Sequence, residues 1–152
     1  MRLVPLLLTL LLHPVDIAST GAPERDRSIS LVNYAFIGLP SASVAEVART
    51  EQWTIRNDAR ALHQVQVLHL PDSSSLPAVD QWIARGASAL LPPAPLVVNV
   101  PALLPGASTT QRVNLEPGVY VVLCFVPAGR DTTGALVNHV HLGMRQTFVV
   151  RS

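Results

Sequence analysis

The residues that could do chemistry in this sequence lie in two segments. The later segment carries a thiol at Cys124, imidazoles at His139 and His141, and a thioether at Met144, whereas His63 follows an earlier polar turn. Two imidazoles, one thiolate and a weakly bound thioether are the ligands of a type 1 copper site, because thiolate suits Cu(I) and imidazole suits Cu(II). These residue types therefore indicate a site for one redox-active copper ion.

Zinc is the competing metal. It binds thiolate and imidazole readily, but a thioether is a poor zinc ligand and a good ligand for soft copper. Met144 therefore favours copper. Hydrolytic chemistry has no support, because the carboxylates are dispersed and no nucleophile-elbow signature is present. The sequence is not expected to encode an enzyme, and no catalytic residue is predicted.

Each candidate ligand also has a plain structural interpretation. A free Cys is among the most frequently buried residue types, so Cys124 could be a small core residue. His63 could be a surface histidine at a turn, and His139 and His141 could be polar loop residues. His69 lies six residues beyond His63 on the same predicted strand, roughly 20 Å away, so these two cannot bind one ion.

The first 22 residues have the pattern of a secretory signal peptide. Arg2 supplies a positive charge, residues 3–12 are almost continuously apolar, and small residues follow at positions 18–22. The apolar run is too short for a stable membrane span, which needs about 20 residues. We therefore expect an exported protein, secreted or periplasmic. A lone Cys in an oxidising compartment then needs an explanation other than an internal disulfide.

The remaining residues, 23–152, are enough for one domain. About half of the chain is apolar (49%), and charged residues make up 14% with a formal net charge of +1. That composition supports a compact core. The Arg residues are scattered singly, so the basic patch of a nucleic-acid-binding protein is missing. We expect a monomer whose only macromolecular partner is another redox protein of unknown identity.

Hydrophobic patterning predicts an all-β architecture with one short helix. Apolar residues recur at helical spacing over residues 76–85, within a long crossover. Short β-branched segments between Pro- and Gly-containing turns predict an antiparallel Greek-key sandwich. The predicted strands cover residues 28–36, 53–56, 64–70, 96–100, 109–115, 118–125 and 146–150.

Three fragments, in order, resemble the cupredoxins. Residues 55–63 are similar to the strand, turn and His of plastocyanin, with the same Asn-to-His spacing, and residues 115–124 resemble the Pro-Gly-x-Tyr run into the family's Cys ligand. Residues 139–144 look like the His-x4-Met ending, including the Gly before Met. The resemblance covers residues 29–150 and implies a plastocyanin-like type 1 copper domain, nearest to exported single-domain cupredoxin-like proteins.

Carried over residue by residue, the resemblance implies copper ligands at His63, Cys124, His139 and Met144. His141 is the rival third ligand, but it stands closer to Met144 than the family pattern allows. Gln64 takes the place of an Asn whose backbone amide helps to hold the Cys sulfur. The sequence departs from the family in the 14 residues between Cys124 and His139, a long turn-rich insertion that argues against a rigid, preset site.

Two classes of function follow from these observations. In the first, the protein is an exported type 1 copper protein that carries single electrons or holds copper. In the second, it is an unmetallated structural or protein-binding module in which Cys124 is a buried remnant. The distances between the candidate ligands discriminate between these classes.

Overall fold

The computed structural model describes residues 24–41, 46–47, 49–87 and 91–152. The predicted signal peptide, residues 1–22, lies outside the described residues. Within the described part of the chain, no helix is long and apolar enough to cross a membrane. The strands are β1 (Arg25–Val32), β2 (Ala35–Ile37), β3 (Glu46–Val47), β4 (Arg49–Asn57), β5 (His63–Leu70), β6 (Leu96–Leu103), β7 (Ser108–Leu115), β8 (Gly118–Leu123), β9 (Pro127–Arg130), β10 (Leu136–Asn138) and β11 (Arg145–Arg151).

Two sheets form a sandwich, which confirms the predicted architecture. One sheet has the order β2-β1-β4-β7, the other has the order β3-β11-β8-β5-β6, and β9 and β10 form a separate ribbon. The predicted strands all overlap strands of these sheets, and most neighbouring strands pair antiparallel, as expected. Two pairs are parallel instead. The chain leaves β1 through the short β2, so β4 returns beside β1 in the parallel direction. Strand β3 likewise runs parallel to β11.

Helix α1 (Leu76–Ala84) confirms the predicted helix in the crossover between β5 and β6. Asp72 accepts a hydrogen bond from the backbone N–H of Ser74 (2.8 Å) and caps a 3-10 turn that leads into the helix. Val79, Trp82 and Ile83 face inwards and are buried. The helix therefore covers the outer face of the five-stranded sheet.

The core has two parts, one on each face of the five-stranded sheet. The larger part lies between the sheets and contains Trp53, Tyr120, Phe148 and Cys124. The smaller part lies under the helix. Residues 119–123 of β8 are therefore buried on both faces of the sheet. Because β8 leads directly into Cys124, the thiol lies in the core between the two sheets.

The first predicted strand, residues 28–36, is in fact a hairpin. Strands β1 and β2 pair antiparallel around a two-residue loop, Asn33 and Tyr34. Tyr34 has a φ of 59° and is the only non-glycine residue with positive φ in the described ranges. Asn favours turns, whereas an aromatic residue in the left-handed region costs on the order of 1–2 kcal/mol.

A buried cluster of charges lies on β1 and β4. The guanidinium of Arg27 donates to Glu51 Oε2 at 2.6 Å and to Glu51 Oε1 at 3.0 Å. Arg49 Nε also donates to Glu51, at 2.8 Å, and so does the indole N–H of Trp53, at 2.8 Å. Arg27 also donates to Glu46 on β3, at 3.3 Å. Since β3 belongs to the other sheet, this cluster ties the two sheets together.

Candidate metal centre

Cys124 follows the last residue of β8, and its sulfur is completely buried. Its backbone N–H donates to the carbonyl of Met144 at 3.3 Å, and its Sγ accepts a hydrogen bond from the backbone N–H of Gln64 at 3.4 Å. Burial raises the pKa of the Cys124 thiol, while the backbone N–H groups of Gln64 and Val126 lower it. Burial is the larger of these opposing effects, so the pKa of the Cys124 thiol is raised overall. The two N–H donors would stabilise the thiolate, which is the metal-binding form, once the proton is lost. Gln64 thus fills the role that the resemblance implies.

His63 is held by the turn that precedes β5. Asn57 is completely buried, and its Nδ2 donates to the carbonyls of Ala61 and Leu103, both at 2.8 Å. Its Oδ1 accepts from the backbone N–H of Ala59 at 3.0 Å. With its amide satisfied on both sides, Asn57 fixes the path of residues 57–63. The Asn-to-His spacing in the sequence was the signal for this turn.

His139 begins a 3-10 helix, His139–Leu142, immediately after β10. Its backbone N–H donates to the carbonyl of Val126 at 2.9 Å, and its carbonyl accepts from the N–H of Met144 at 3.0 Å. Gly143 ends the helix with a φ of 96°, a conformation that glycine adopts at least cost. This turn explains the Gly before Met, because it reverses the chain into β11.

The three ligand atoms face a common point. His139 Nδ1 lies 3.5 Å from Cys124 Sγ and 3.0 Å from His63 Nδ1, and His63 Nδ1 lies 3.9 Å from the sulfur. In a trigonal plane with metal bonds of roughly 2.0–2.3 Å, donor atoms are about 3.5–3.7 Å apart. The observed separations bracket these values, so the three side chains fit a single metal ion.

Both imidazoles are suited to act as ligands. His63 is 1% exposed and His139 is 3% exposed. Burial lowers the pKa of both rings, and the neighbouring charge of His139 lowers the pKa of His63 further. Neutral imidazoles keep a free electron pair on one ring nitrogen for a metal.

The backbone of Met144 is hydrogen-bonded to the backbones of His139 and Cys124. Its N–H donates to the carbonyl of His139, and its carbonyl accepts from the N–H of Cys124. The residue is completely buried in the core cluster that contains Cys124. A thioether is a soft, weak donor that suits copper better than zinc. The donor set therefore fits a type 1 copper ion better than a structural zinc ion.

The other two described histidines do not reach this centre. His141 is exposed, and its Nδ1 accepts a hydrogen bond from the backbone N–H of Asn138 at 3.1 Å. His69 lies near the far end of β5, where its ring stacks on Tyr120 at 4.7 Å and its Nε2 is 3.1 Å from the carbonyl oxygen of Pro117. The structure therefore brings His139, not His141, to the cluster.

The long insertion folds into a two-stranded ribbon beside the centre. Strands β9 and β10 pair antiparallel, and the hydrogen bond from His139 to Val126 closes the base of this ribbon. Beyond that bond, the strand residues of β9 are fully exposed. Across the base of the ribbon, the path from Cys124 to His139 contains only Phe125, Val126 and the hydrogen bond between Val126 and His139. The insertion is therefore closed at its base, next to the candidate ligands.

Shortening the ribbon should leave the metal centre intact. Gly129 and Val137 are partners in the ribbon, so residues 130–136 can be replaced by Asn-Gly, which favours a two-residue hairpin turn. We expect the copper absorption spectrum to be unchanged and the free energy of unfolding to change by less than about 1 kcal/mol. Absorbance during copper titration and urea unfolding measure the two quantities. Loss of the copper band would mean that the ribbon shapes the site.

Sequence reasoning missed one residue that contacts the centre. The ring of Tyr34 meets the ring of His139 edge-on, with centroids 5.0 Å apart and an interplanar angle of 84°. Tyr34 lies in the predicted first strand, so nothing in the local pattern placed it at the metal end of the sandwich. The rings of His63 and His139 are 4.7 Å apart. Tyr34, His139 and His63 therefore form a series of three rings in contact.

Comparison with solved structures gives matches over most of the chain. The dithionite-reduced auracyanin of the photosynthetic bacterium Roseiflexus castenholzii matches with a TM-score of 0.56 and 21% identity, covering 85% of this chain and 98% of that protein. Auracyanin B matches with a TM-score of 0.55 and 18% identity, covering 90% of this chain and 94% of that protein. No protein-family profile and no curated protein sequence matches. The protein has the cupredoxin fold.

Proposed function

We propose that this protein is an exported type 1 copper protein that carries single electrons. The cluster of His63, Cys124 and His139, with donor atoms 3.0–3.9 Å apart, carries the proposal. Met144 would supply the weak fourth contact. Bound copper would supply a one-electron couple between Cu(I) and Cu(II).

The protein's own residues suit it to electron transfer. Backbone hydrogen bonds hold Cys124, His139 and Met144. The side chain of Asn57 fixes the turn before His63, so the donor atoms would need little rearrangement when the charge of the ion changes. The sulfur is completely buried, and both imidazoles are nearly so. Such a site leaves little room for a substrate, which favours electron exchange over catalysis. The matched auracyanin was crystallised in a reduced form, which is in keeping with a redox role.

The partner of this exchange is proposed to be another redox protein outside the cytoplasm. The apolar segment at residues 3–12, preceded by Arg2, supports export. A single unpaired Cys is compatible with export, because burial and a bound metal would protect its sulfur from oxidation. The scattered charges give no support for nucleic acid as a partner.

Copper titration of the refolded mature domain tests the proposal. We expect one Cu(II) per chain and an intense visible thiolate-to-copper absorption band that disappears in Cys124→Ser. The matched control is His69→Ala, which removes an imidazole from the far end of β5 and should leave the band unchanged. A colourless protein, or a band that survives Cys124→Ser, would instead favour an unmetallated binding or structural module.

A further inference from the structure

Tyr34 is unusual both in its backbone and in its contact. Its φ of 59° is the only positive value at a non-glycine residue in the described ranges. Its ring packs edge-on against His139 at 5.0 Å. Backbone outliers of this kind persist only where the surrounding structure holds them, and they cluster at functional sites. The contact with His139 therefore suggests that Tyr34 has a role beyond forming the turn.

The geometry of His139 shows which ring nitrogen faces the other candidate ligands. Its Nδ1 faces inwards, 3.5 Å from Cys124 Sγ and 3.0 Å from His63 Nδ1. Since the two nitrogens of imidazole lie on different edges of the ring, Nε2 is directed away from those ligands. His139 nevertheless is only 3% exposed, whereas Tyr34 is 42% exposed. The edge-on contact with Tyr34 therefore contributes to the burial of His139, while Tyr34 itself faces the solvent.

We propose that Tyr34 is the cover of the metal centre, excluding water and small ligands from the outer edge of His139. This inference builds on the proposed copper function and adds a positioning residue to it. A covered ligand keeps small molecules away from the ion, so that electrons are exchanged through the protein surface instead of by direct coordination. Electrons that reach or leave His139 would then pass through the exposed ring of Tyr34.

The left-handed backbone makes a clean test possible. Gly is favoured at positive φ, so Tyr34→Gly removes the ring while it retains, or even eases, the turn between β1 and β2. Tyr34→Phe keeps the ring and removes only the hydroxyl. Tyr34→Asn is a second ring-free variant, because Asn tolerates the left-handed region. If Tyr34 served only to form the turn, the accessibility of His139 would be the same in all of these variants.

The experiment uses the metal-free mature protein and diethyl pyrocarbonate, which modifies accessible neutral imidazoles. Modification of each histidine is followed by peptide mass spectrometry. We expect His139 to react roughly tenfold faster in Tyr34→Gly and Tyr34→Asn than in wild type and Tyr34→Phe. His141, which is exposed in the wild type, serves as the internal reference and should react at the same rate in all four proteins.

A second measurement examines the copper-loaded protein. Extraction of Cu(II) by excess EDTA should accelerate by a similar factor in the two ring-free variants only. An unchanged His139 rate in both ring-free variants would overturn the proposal, and so would a fast rate in Tyr34→Phe. Because the first measurement needs no metal, its failure is distinguishable from failure of the copper titration, which concerns the proposed function.

Discussion

Replacing His139 with Ala is expected to abolish the blue absorption band and to weaken copper binding by more than about a hundredfold, whereas His141→Ala leaves both intact. Loss of a group that only supports a ligand costs 10- to 100-fold in affinity, so loss of a ligand costs more. The two histidines lie two residues apart, but only His139 places Nδ1 within 3.5 Å of Cys124 Sγ. Absorbance titration and competition with a chelator measure the two effects.

His141→Ala is the matched control, and it has a measurable effect of its own. Its Nδ1 accepts a hydrogen bond from the backbone N–H of Asn138 at 3.1 Å. Removing that acceptor should lower the free energy of unfolding by about 1 kcal/mol. Retention of the band by His139→Ala together with its loss in His141→Ala would reverse the ligand assignment.

The cluster of His63, Cys124 and His139 could be predicted from the sequence because the prediction depends on residue types. Few kinds of metal site use one Cys, two His and a Met. The strongly predicted strand that leads to Cys124 also indicates where in the fold the thiol lies. The fold could also be predicted, since short β-branched and apolar segments between Pro- and Gly-containing turns marked the main strands. Strands β2, β3, β9 and β10 were not predicted, because two to four residues carry too little periodicity to be recognised.

The compactness of the centre could not be predicted from spacing. A count of 14 residues between Cys124 and His139 suggests a long loop, but sequence distance does not include hydrogen bonds. The single bond between His139 and Val126 separates the ribbon from the ligand loop. A hairpin inserted at a point where its two ends already meet costs the site almost nothing.

The contact between Tyr34 and His139 depends on tertiary packing alone. The two residues are separated by most of the chain. An aromatic residue within a β-branched segment is typical of a strand, so the sequence gives no sign that Tyr34 contacts His139. The buried ion pair between Arg27 and Glu51 could not be predicted for a similar reason. Arg27 and Glu51 lie outside or at the edge of the predicted strands, where charged residues ordinarily face solvent.

Glu51→Ala is expected to lower the free energy of unfolding by about 3–5 kcal/mol, the usual cost of breaking a buried ion pair. The substitution leaves the guanidinium of Arg27, itself 7% exposed, without its bidentate partner, and it leaves the indole N–H of Trp53 without an acceptor. Urea unfolding measures the change. The control is Glu24→Ala, which breaks an exposed ion pair with Arg112 (3.5 Å) and should cost less than about 1 kcal/mol.

The same carboxylate should make stability depend on pH. Burial alone raises the pKa of Glu51, but hydrogen bonds from Arg27, Arg49 and Trp53 outweigh it and lower the pKa from 4.5 to about 2. A group whose pKa is lower in the folded state stabilises the fold above its unfolded pKa. Glu51 therefore contributes about 3 kcal/mol at neutral pH, and this contribution is lost as the pH falls from about 4.5 to 2. Glu51→Gln has no such charge to lose, so its unfolding free energy should decline less steeply over this range. Parallel declines in the two proteins would show that the acid sensitivity arises elsewhere.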